Sequence, residues 1–390
     1  MPIRLLALAF GIPFLLVSSI PAQEAAAPRD LSELLEKMRS SQELPALTAV
    51  IVSSDGILAQ GVAGVRRAGH DVAAEMTDRW HLGSCTKAMT ATLTAVLVEK
   101  EKLGWDLTIA SALPELAEEM HDELKVITIE SLLANRGRIG DQSHFPELWQ
   151  ELYGPARSRT PREQRRLLAE SLLKQEPAIP QGQYHYSNFG FAIAGHMLET
   201  LLESTWEELI REHVFASLGM NSAGFGVPGT PDEITQPWPH RGDGSTIAPI
   251  PLADNPPAIA PAGTVHASIT DWSAFIRLHL AGAQGEESLL LKPKSFERLH
   301  RSHGAEGQPP YALGWLTLTR PWAKGPSEGD TGRVLTHNGT NNSWYATVWI
   351  APEQDFAALA VTNIGGGNTQ QKMDTVISGL IRNHLVSKRR

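Results

Sequence analysis

Apolar positions recur along this chain with two different periods, and the change of period divides it into three stretches. Near the start, Leu31, Leu34, Leu35 and Met38 fall on one helical face behind Asp30 and Glu33, a pairing that predicts a boxed helix cap. The runs Leu47–Ser54 and Ile57–Val65 then flank Asp55-Gly56, whose turn chemistry predicts a hairpin. From Ser84 to about Leu299 the helical period takes over. Helices are predicted at Lys87–Glu101, Ile129–Asn135, Pro161–Gln175, Phe189–Leu202, Thr205–Val214 and Asp271–Leu280. Strand-like runs return at Tyr311–Thr319, Arg333–His337, Ser343–Ile350 and Phe356–Asn363, and a last helix covers Lys372–Leu385.

Sheet-forming segments at both ends of a helical middle predict an α/β plus all-α protein. Its antiparallel sheet, flanked by helices, is interrupted by a large, mostly helical insertion. On this division residues 24–83 and 300–390 form a split α/β domain and 84–299 the helical domain, with a cleft at their seam. The Pro- and Gly-rich stretch Gly219–Gly263 has little periodicity and reads as a wall or lid of that cleft.

Composition narrows the function. With 390 residues, 42% of them hydrophobic and 20% charged, the chain can bury a large core. A net charge of −9 with no basic run argues against a nucleic-acid surface. Arg4, the apolar run Leu5–Ile20 and Pro21-Ala22-Gln23 predict a signal peptide over residues 1–23, and hence a periplasmic or secreted protein. The apolar run, roughly 16 residues, is short for a bilayer span. Cys85 is the sole cysteine, so no intramolecular disulfide forms, and it reads as a small buried hydrophobe. His240, His266, His300 and His303 lack metal-ligand spacing, and neither a metal nor a cofactor is assigned.

Three short segments carry chemistry. Ser84-Cys85-Thr86-Lys87 follows a predicted strand, Arg79–Leu82, and opens a helix. It places a hydroxyl and an amine on one face near unpaired amides. Lys87, if neutral, can take the Ser84 proton. Tyr186-Ser187-Asn188 precedes a second helix; Tyr186 can relay a proton if Lys87 lowers its pKa, and Asn188 can orient Lys87. His337-Asn338-Gly339-Thr340 ends a strand, with Gly339 allowing close approach and His337 offering a donor or partial positive charge. Each also has a bland account: chance Ser–Lys spacing, a packed tyrosine with Asn188 as helix cap, and a hairpin turn.

In their order and context the three segments resemble those of the serine hydrolases of the penicillin-recognising fold. That group holds class C β-lactamases, D-alanyl-D-alanine carboxypeptidases, D-amino-acid peptidases and β-lactamase-like carboxylesterases. Ser84…Lys87 matches its S-x-x-K, Tyr186…Asn188 its Y-x-N, and His337…Gly339 its third motif, K-T-G in the β-lactamases. Pro261-Ala262-Gly263, Tyr311-x-x-Gly314-Trp315 and Leu132-Leu133-Ala134-Asn135-Arg136-Gly137 are also family-like, with Asn135 in place of the usual histidine. The similarity spans Leu44 to Leu385.

The resemblance implies a β-lactamase/transpeptidase-like fold. It makes Ser84 the nucleophile, with Lys87 and Tyr186 sharing the base role and Asn188, His337, Gly339 and Thr340 supporting the substrate. The backbone N–H groups of Ser84 and Thr340 would form the oxyanion hole. The substrate is then a small ester, amide, peptide or β-lactam, with no nucleic-acid or integral-membrane partner and the oligomeric state left open. Histidine in place of the third-motif lysine points away from an efficient β-lactamase. The expectation is a carboxylesterase or a D-amino-acid or cell-wall peptidase. The alternatives are a class C-type β-lactamase and a non-catalytic penicillin-binding sensor. Arg136 and Arg138 are candidates for an anionic substrate group, and Trp238, Trp272, Trp315 and Trp344 for aromatic walls.

Overall fold

The computed structural model describes residues 27–288, 290–304 and 306–388, so the predicted signal peptide lies outside the described residues. Seven strands form the main sheet, in the order Arg29–Asp30, Ile57–Gly64, Ala46–Val52, Phe356–Thr362, Tyr345–Ala351, Arg333–Thr340, Leu316–Thr319. The two ends of the chain meet at its centre, where Leu47 pairs with Thr362 and Val52 with Ala357. All pairings are antiparallel except that of Arg29–Asp30 with Ile57–Gly64, so the sheet is mixed by one two-residue edge strand.

Ala46–Val52 and Phe356–Thr362 are buried at every position. Such continuous burial means that helices cover both faces. Leu47, Ala49 and Ile51 join the helices at the chain ends, Ser32–Ser41 and Thr369–Ser387, in one apolar cluster. Val50 and Val52, pointing the other way, join the core shared with the helical region.

The first helix departs from the expected cap. Asp30 is drawn into the edge strand opposite Gln60, and the helix starts at Ser32 with Leu31 as an uncapped N-cap. The Asp30 carboxylate still accepts the Ser32 N–H at 2.8 Å, whereas Glu33 pairs with Lys37 rather than closing a box.

In the helical region, Thr86–Glu99 is buried from Thr86 through Leu97, leaving no polar face. It runs beside Asn188–Leu202, whose residues Phe189–Glu199 are all buried. The predicted Thr205–Val214 helix is α-helical only over Trp206–Ile210, then widens into a π turn at Arg211–Phe215. Helices at Pro146–Tyr153 and Pro293–His300 arise in segments whose apolar spacing is too short to announce them, each started by a proline at its first position. Gly219–Gly263 stays largely irregular. Its strand Gly224–Phe225 joins Val265–Ser268 and Arg79–His81 in a small three-stranded sheet that leads into the Ser84 turn. Among the described residues no helix is long and apolar enough to cross a membrane.

Candidate active site

Ser84 lies in a tight 3-10 turn, Gly83–Cys85, between strand Arg79–His81 and helix Thr86–Glu99. Two glycines let this turn lie against strand Arg333–Thr340. Gly83 has φ +50°, and a Cβ there would meet the Thr340 nitrogen at 2.3 Å. A Cβ on Gly339 would meet Leu82 O at 1.9 Å and the Ser84 nitrogen at 2.8 Å. Only bare backbone permits that approach, which sets the amides of Ser84 and Thr340 side by side. Cys85 points the opposite way, 97% buried, with Sγ 3.7 Å from the His337 carbonyl.

Lys87 is fully buried, and its amine has three neighbours: Asn188 Oδ1 at 2.7 Å, Ala262 O at 2.9 Å and Ser84 Oγ at 3.2 Å. Burial pushes its pKa well below the ordinary lysine value. A neutral amine has two N–H donors and one lone pair. Asn188 and Ala262 offer acceptors for both donors, which leaves the lone pair for the Ser84 hydroxyl.

Tyr186 lays its ring over the same amine, 4.6 Å from Nζ to the ring centre. The sequence suggests that Lys87 lowers the Tyr186 pKa; instead burial drives it upward and outweighs the influence of Ser84 nearby, so Tyr186 is a neutral phenol. Helix Asn188–Leu202 is capped by Ser187, whose Oγ accepts the Gly190 N–H at 3.0 Å and donates to Gly140 O at 2.8 Å. Asn188 is therefore released from capping and reaches Lys87.

His337 is 6% exposed and engaged at both nitrogens. Nδ1 lies 2.6 Å from Asn338 O, which can only accept, so Nδ1 carries the proton. Nε2 then accepts from the Tyr311 hydroxyl at 3.2 Å. Burial lowers the His337 pKa to about 4. The ring brings no positive charge to the cleft, in contrast to the partial charge expected from its position in the sequence.

With this geometry in place, comparison with known proteins is informative. The family profile described as Beta-lactamase matches residues 31–380. The chain belongs to the β-lactamase family. It is a family of serine hydrolases that includes peptidases, amidohydrolases and β-lactamases. A penicillin-binding protein 4 from Amycolatopsis lactamdurans is 24% identical over 339 residues, 85% of this chain and 84% of that one. Two solved structures share the fold. The D-alanine carboxypeptidase AmpC of Burkholderia cenocepacia has TM-score 0.68 at 16% identity, covering 89% of this chain and 96% of the other. A D-stereospecific amidohydrolase from Streptomyces sp. has TM-score 0.67 at 19% identity, covering 88% and 96%.

Asn135, where the β-lactamase family usually has histidine, sits at φ +57° and holds the Tyr186 loop. Its side-chain oxygen accepts the Ser187 N–H at 3.0 Å and its carbonyl the His185 N–H at 2.9 Å. Arg138 is engaged by Glu123 and Ile179 O, and Arg136 donates to Gly182 O. Trp272, Trp315 and Trp344 are core residues at 1% exposure or less, and Trp238 lies under the Arg67 guanidinium. A cavity lies one residue beyond Thr340, though none of Ser84, Lys87, Tyr186 and Thr340 lines it. It has a volume of about 430 Å³ and is lined by Tyr153, Arg241, Leu252, Asn341 and Gly365.

Sequence reasoning missed His81 and Asp254. His81 Nδ1 accepts the Gly83 N–H at 3.1 Å, and Nε2 lies 2.8 Å from Asp254 Oδ1, a close polar contact without hydrogen-bond geometry. The same oxygen accepts from Asn341 Nδ2 at 2.9 Å. This buried pair therefore links the residue before Ser84 to the residue after Thr340. Nothing in the sequence joins position 81 to an aspartate in the irregular loop. His81 stacks on Trp344, 5.6 Å between ring centres, so His81→Phe keeps the packing and removes the Gly83 hydrogen bond and the Asp254 contact. The expected result is a fall of about tenfold or more in kcat with a smaller change in KM, a loss typical of orienting partners. Steady-state kinetics beside a thermal melt checks it; a purely structural role would lower the melting temperature and spare kcat of the folded fraction.

Proposed function

We propose that this protein is a serine acyl hydrolase that works through a covalent acyl-enzyme. The observation that carries the reading is the fully buried Lys87 amine, with acceptors at Asn188 and Ala262 and Ser84 Oγ at 3.2 Å; burial lowers its pKa, and in the neutral form its lone pair faces Ser84. Ser84 attacks the acyl carbonyl while Lys87 takes its proton. The adjoining amides of Ser84 and Thr340 stabilise the developing oxyanion, and Tyr186, a neutral phenol beside Ser84, protonates the leaving group. Lys87 passes its proton to Tyr186; water then attacks the acyl carbonyl and gives its proton to Lys87, which hands it to Ser84 as that oxygen leaves.

The substrate is an ester or amide, which makes the protein a carboxylesterase or a D-amino-acid or cell-wall peptidase. A neutral, doubly engaged His337 gives a substrate carboxylate no fixed cation, which places β-lactamase turnover below these two. The two proteins of the shared fold named above, a D-alanine carboxypeptidase and a D-stereospecific amidohydrolase, are named for D-configured substrates, and the relative from Amycolatopsis for penicillin binding. The intact Ser84, Lys87 and Tyr186 set argues against a non-catalytic sensor.

The test is intact-protein mass over time with a penicillin, beside hydrolysis of a short-chain aryl ester and of a D-alanyl-D-alanine peptide. A long-lived adduct with peptide cleavage identifies the peptidase, and rapid ester turnover with no adduct the esterase. Rapid penicillin turnover would make it a β-lactamase, and turnover of none of the three would sink the reading. A second check concerns His337→Lys. It is expected to raise the rate on a carboxylate-bearing substrate, relative to its methyl ester, by about tenfold, as about 1.4 kcal/mol of added charge pairing would. An unchanged ratio would mean that position 337 does not face that group.

A further inference from the structure

We propose that Asp141, His144 and His185 form a binding site for a borderline divalent cation, zinc by preference, at the flank of the catalytic loop. The three residues come from two segments. Asp141 and His144 lie in the turn before helix Pro146–Tyr153, and His185 immediately precedes Tyr186. Their donor atoms all lie within 4.8 Å of one another. Asp141 Oδ1 is 3.1 Å from His144 Nδ1, and Asp141 Oδ2 is 3.6 Å from His185 Nε2. The imidazole rings meet edge to face, 4.9 Å between centres.

His144 Nδ1 is within hydrogen-bond distance of Asp141 Oδ1 and also takes the Asp141 N–H at 3.4 Å, so the case for a metal rests on the spacing of all three ligands and on His185. Tetrahedral zinc with bonds of about 2.0–2.1 Å holds its ligands about 3.3 Å apart. The two observed separations bracket that value. As a hydrogen bond, by contrast, 3.6 Å is too long. His185 Nε2 is indeed a buried atom without a hydrogen-bond partner. Asp141 Oδ1 also accepts from the Ser143 N–H at 2.9 Å and the Ser143 hydroxyl at 2.6 Å, which holds the carboxylate facing the rings.

Ligand chemistry selects the ion. Two imidazoles and one carboxylate suit zinc or its first-row neighbours, whereas calcium and magnesium require oxygen ligands throughout. Three protein ligands leave a fourth position for water. The cation would fasten the residue 141–144 turn to the segment bearing Tyr186 and Asn188, beside the existing hydrogen bond from Ser187 Oγ to Gly140 O. The proposal does not depend on the hydrolase reading, because no catalytic residue is a ligand.

Isothermal titration of zinc into the chelator-stripped, tag-free protein tests it, with His144→Ala, His185→Gln and Ser84→Ala in parallel. The expected result is one zinc per chain in the wild type and in Ser84→Ala, weakened at least about tenfold in each histidine variant. Zinc should also raise the melting temperature of the wild type and not of His144→Ala, because only a ligand bound to the folded state stabilises it. His144 is exposed, so its loss leaves a folded protein to measure. Absence of saturable binding in the wild type, or wild-type affinity in both histidine variants, would overturn the proposal.

Discussion

Ser84→Ala is expected to remove turnover and covalent labelling together, while the protein stays folded. Loss of a nucleophile that acts with its base as a unit lowers kcat by at least about 10⁴-fold. The oxyanion amides and the bound geometry survive the change, so a small residual rate over water is compatible with it. Stability should move little. Ser84 Oγ is half-buried, and its neighbours, Lys87 and Tyr186, sit in a wall packed independently of it by Asn188, Ala262 and Phe191. Intact-protein mass after exposure to a penicillin or an activated ester, with a thermal melt of the same sample, reads both halves. An adduct of unchanged mass in the alanine variant would move the nucleophile elsewhere, and wild-type turnover would refute the mechanism outright. Cys85 cannot substitute: it is buried against the His337 carbonyl and burial pushes its thiol pKa upward, so no thiolate faces the cleft.

The expectation for Ser84 was legible in the sequence because its determinants are local. Strand, tight turn and helix follow one another within a few residues, and the i, i+3 spacing of Ser84 and Lys87 survives any detail of packing. The central strands were legible for a similar reason: Leu47, Ala49 and Ile51 alternate with Val50 and Val52 between two cores. What escaped depends on burial and on distant partners. Tyr186 looked like a group whose pKa Lys87 would lower, yet both sit in the same dry wall, and desolvation raises one while it lowers the other. His337 looked like a donor toward substrate until Tyr311, 26 residues away, took its free nitrogen. The Asp254–His81 pair bridges the irregular loop and a three-residue strand, where no periodicity exists to be read. The cap of the first helix failed for a related reason, since pairing of Asp30 with the sheet took precedence over a local box.

Lys87 makes the sharper physical prediction, because its burial affects rate and stability with a defined sign. If Lys87 is the base, kcat/KM should hold through neutral pH and fall as pH drops through its lowered pKa; an acid limb near the ordinary lysine value would exclude it. Lys87→Met should slow acylation by about 10²–10⁴-fold, the range for a positioned general base. The stability effect follows from proton linkage. In the folded protein Lys87 loses its proton well below 10.5, whereas the unfolded chain keeps it up to the ordinary value. Between those two values the unfolded state binds more protons, so unfolding becomes harder as pH rises, by about 1.4 kcal/mol per pH unit. Above the unfolded value the slope vanishes, and below the folded value both states are protonated and it vanishes again. Methionine has no proton to bind. The difference in unfolding free energy, wild type minus Lys87→Met, should therefore climb, by up to about 1.4 kcal/mol per pH unit, as pH rises from the folded value toward 10.5, whatever constant offset arises from stranding Asn188 Oδ1 and Ala262 O without a donor. Urea unfolding of both proteins at three pH values in that interval measures it. Parallel curves would mean that Lys87 is charged in the folded protein, and a charged Lys87 cannot take the proton from Ser84.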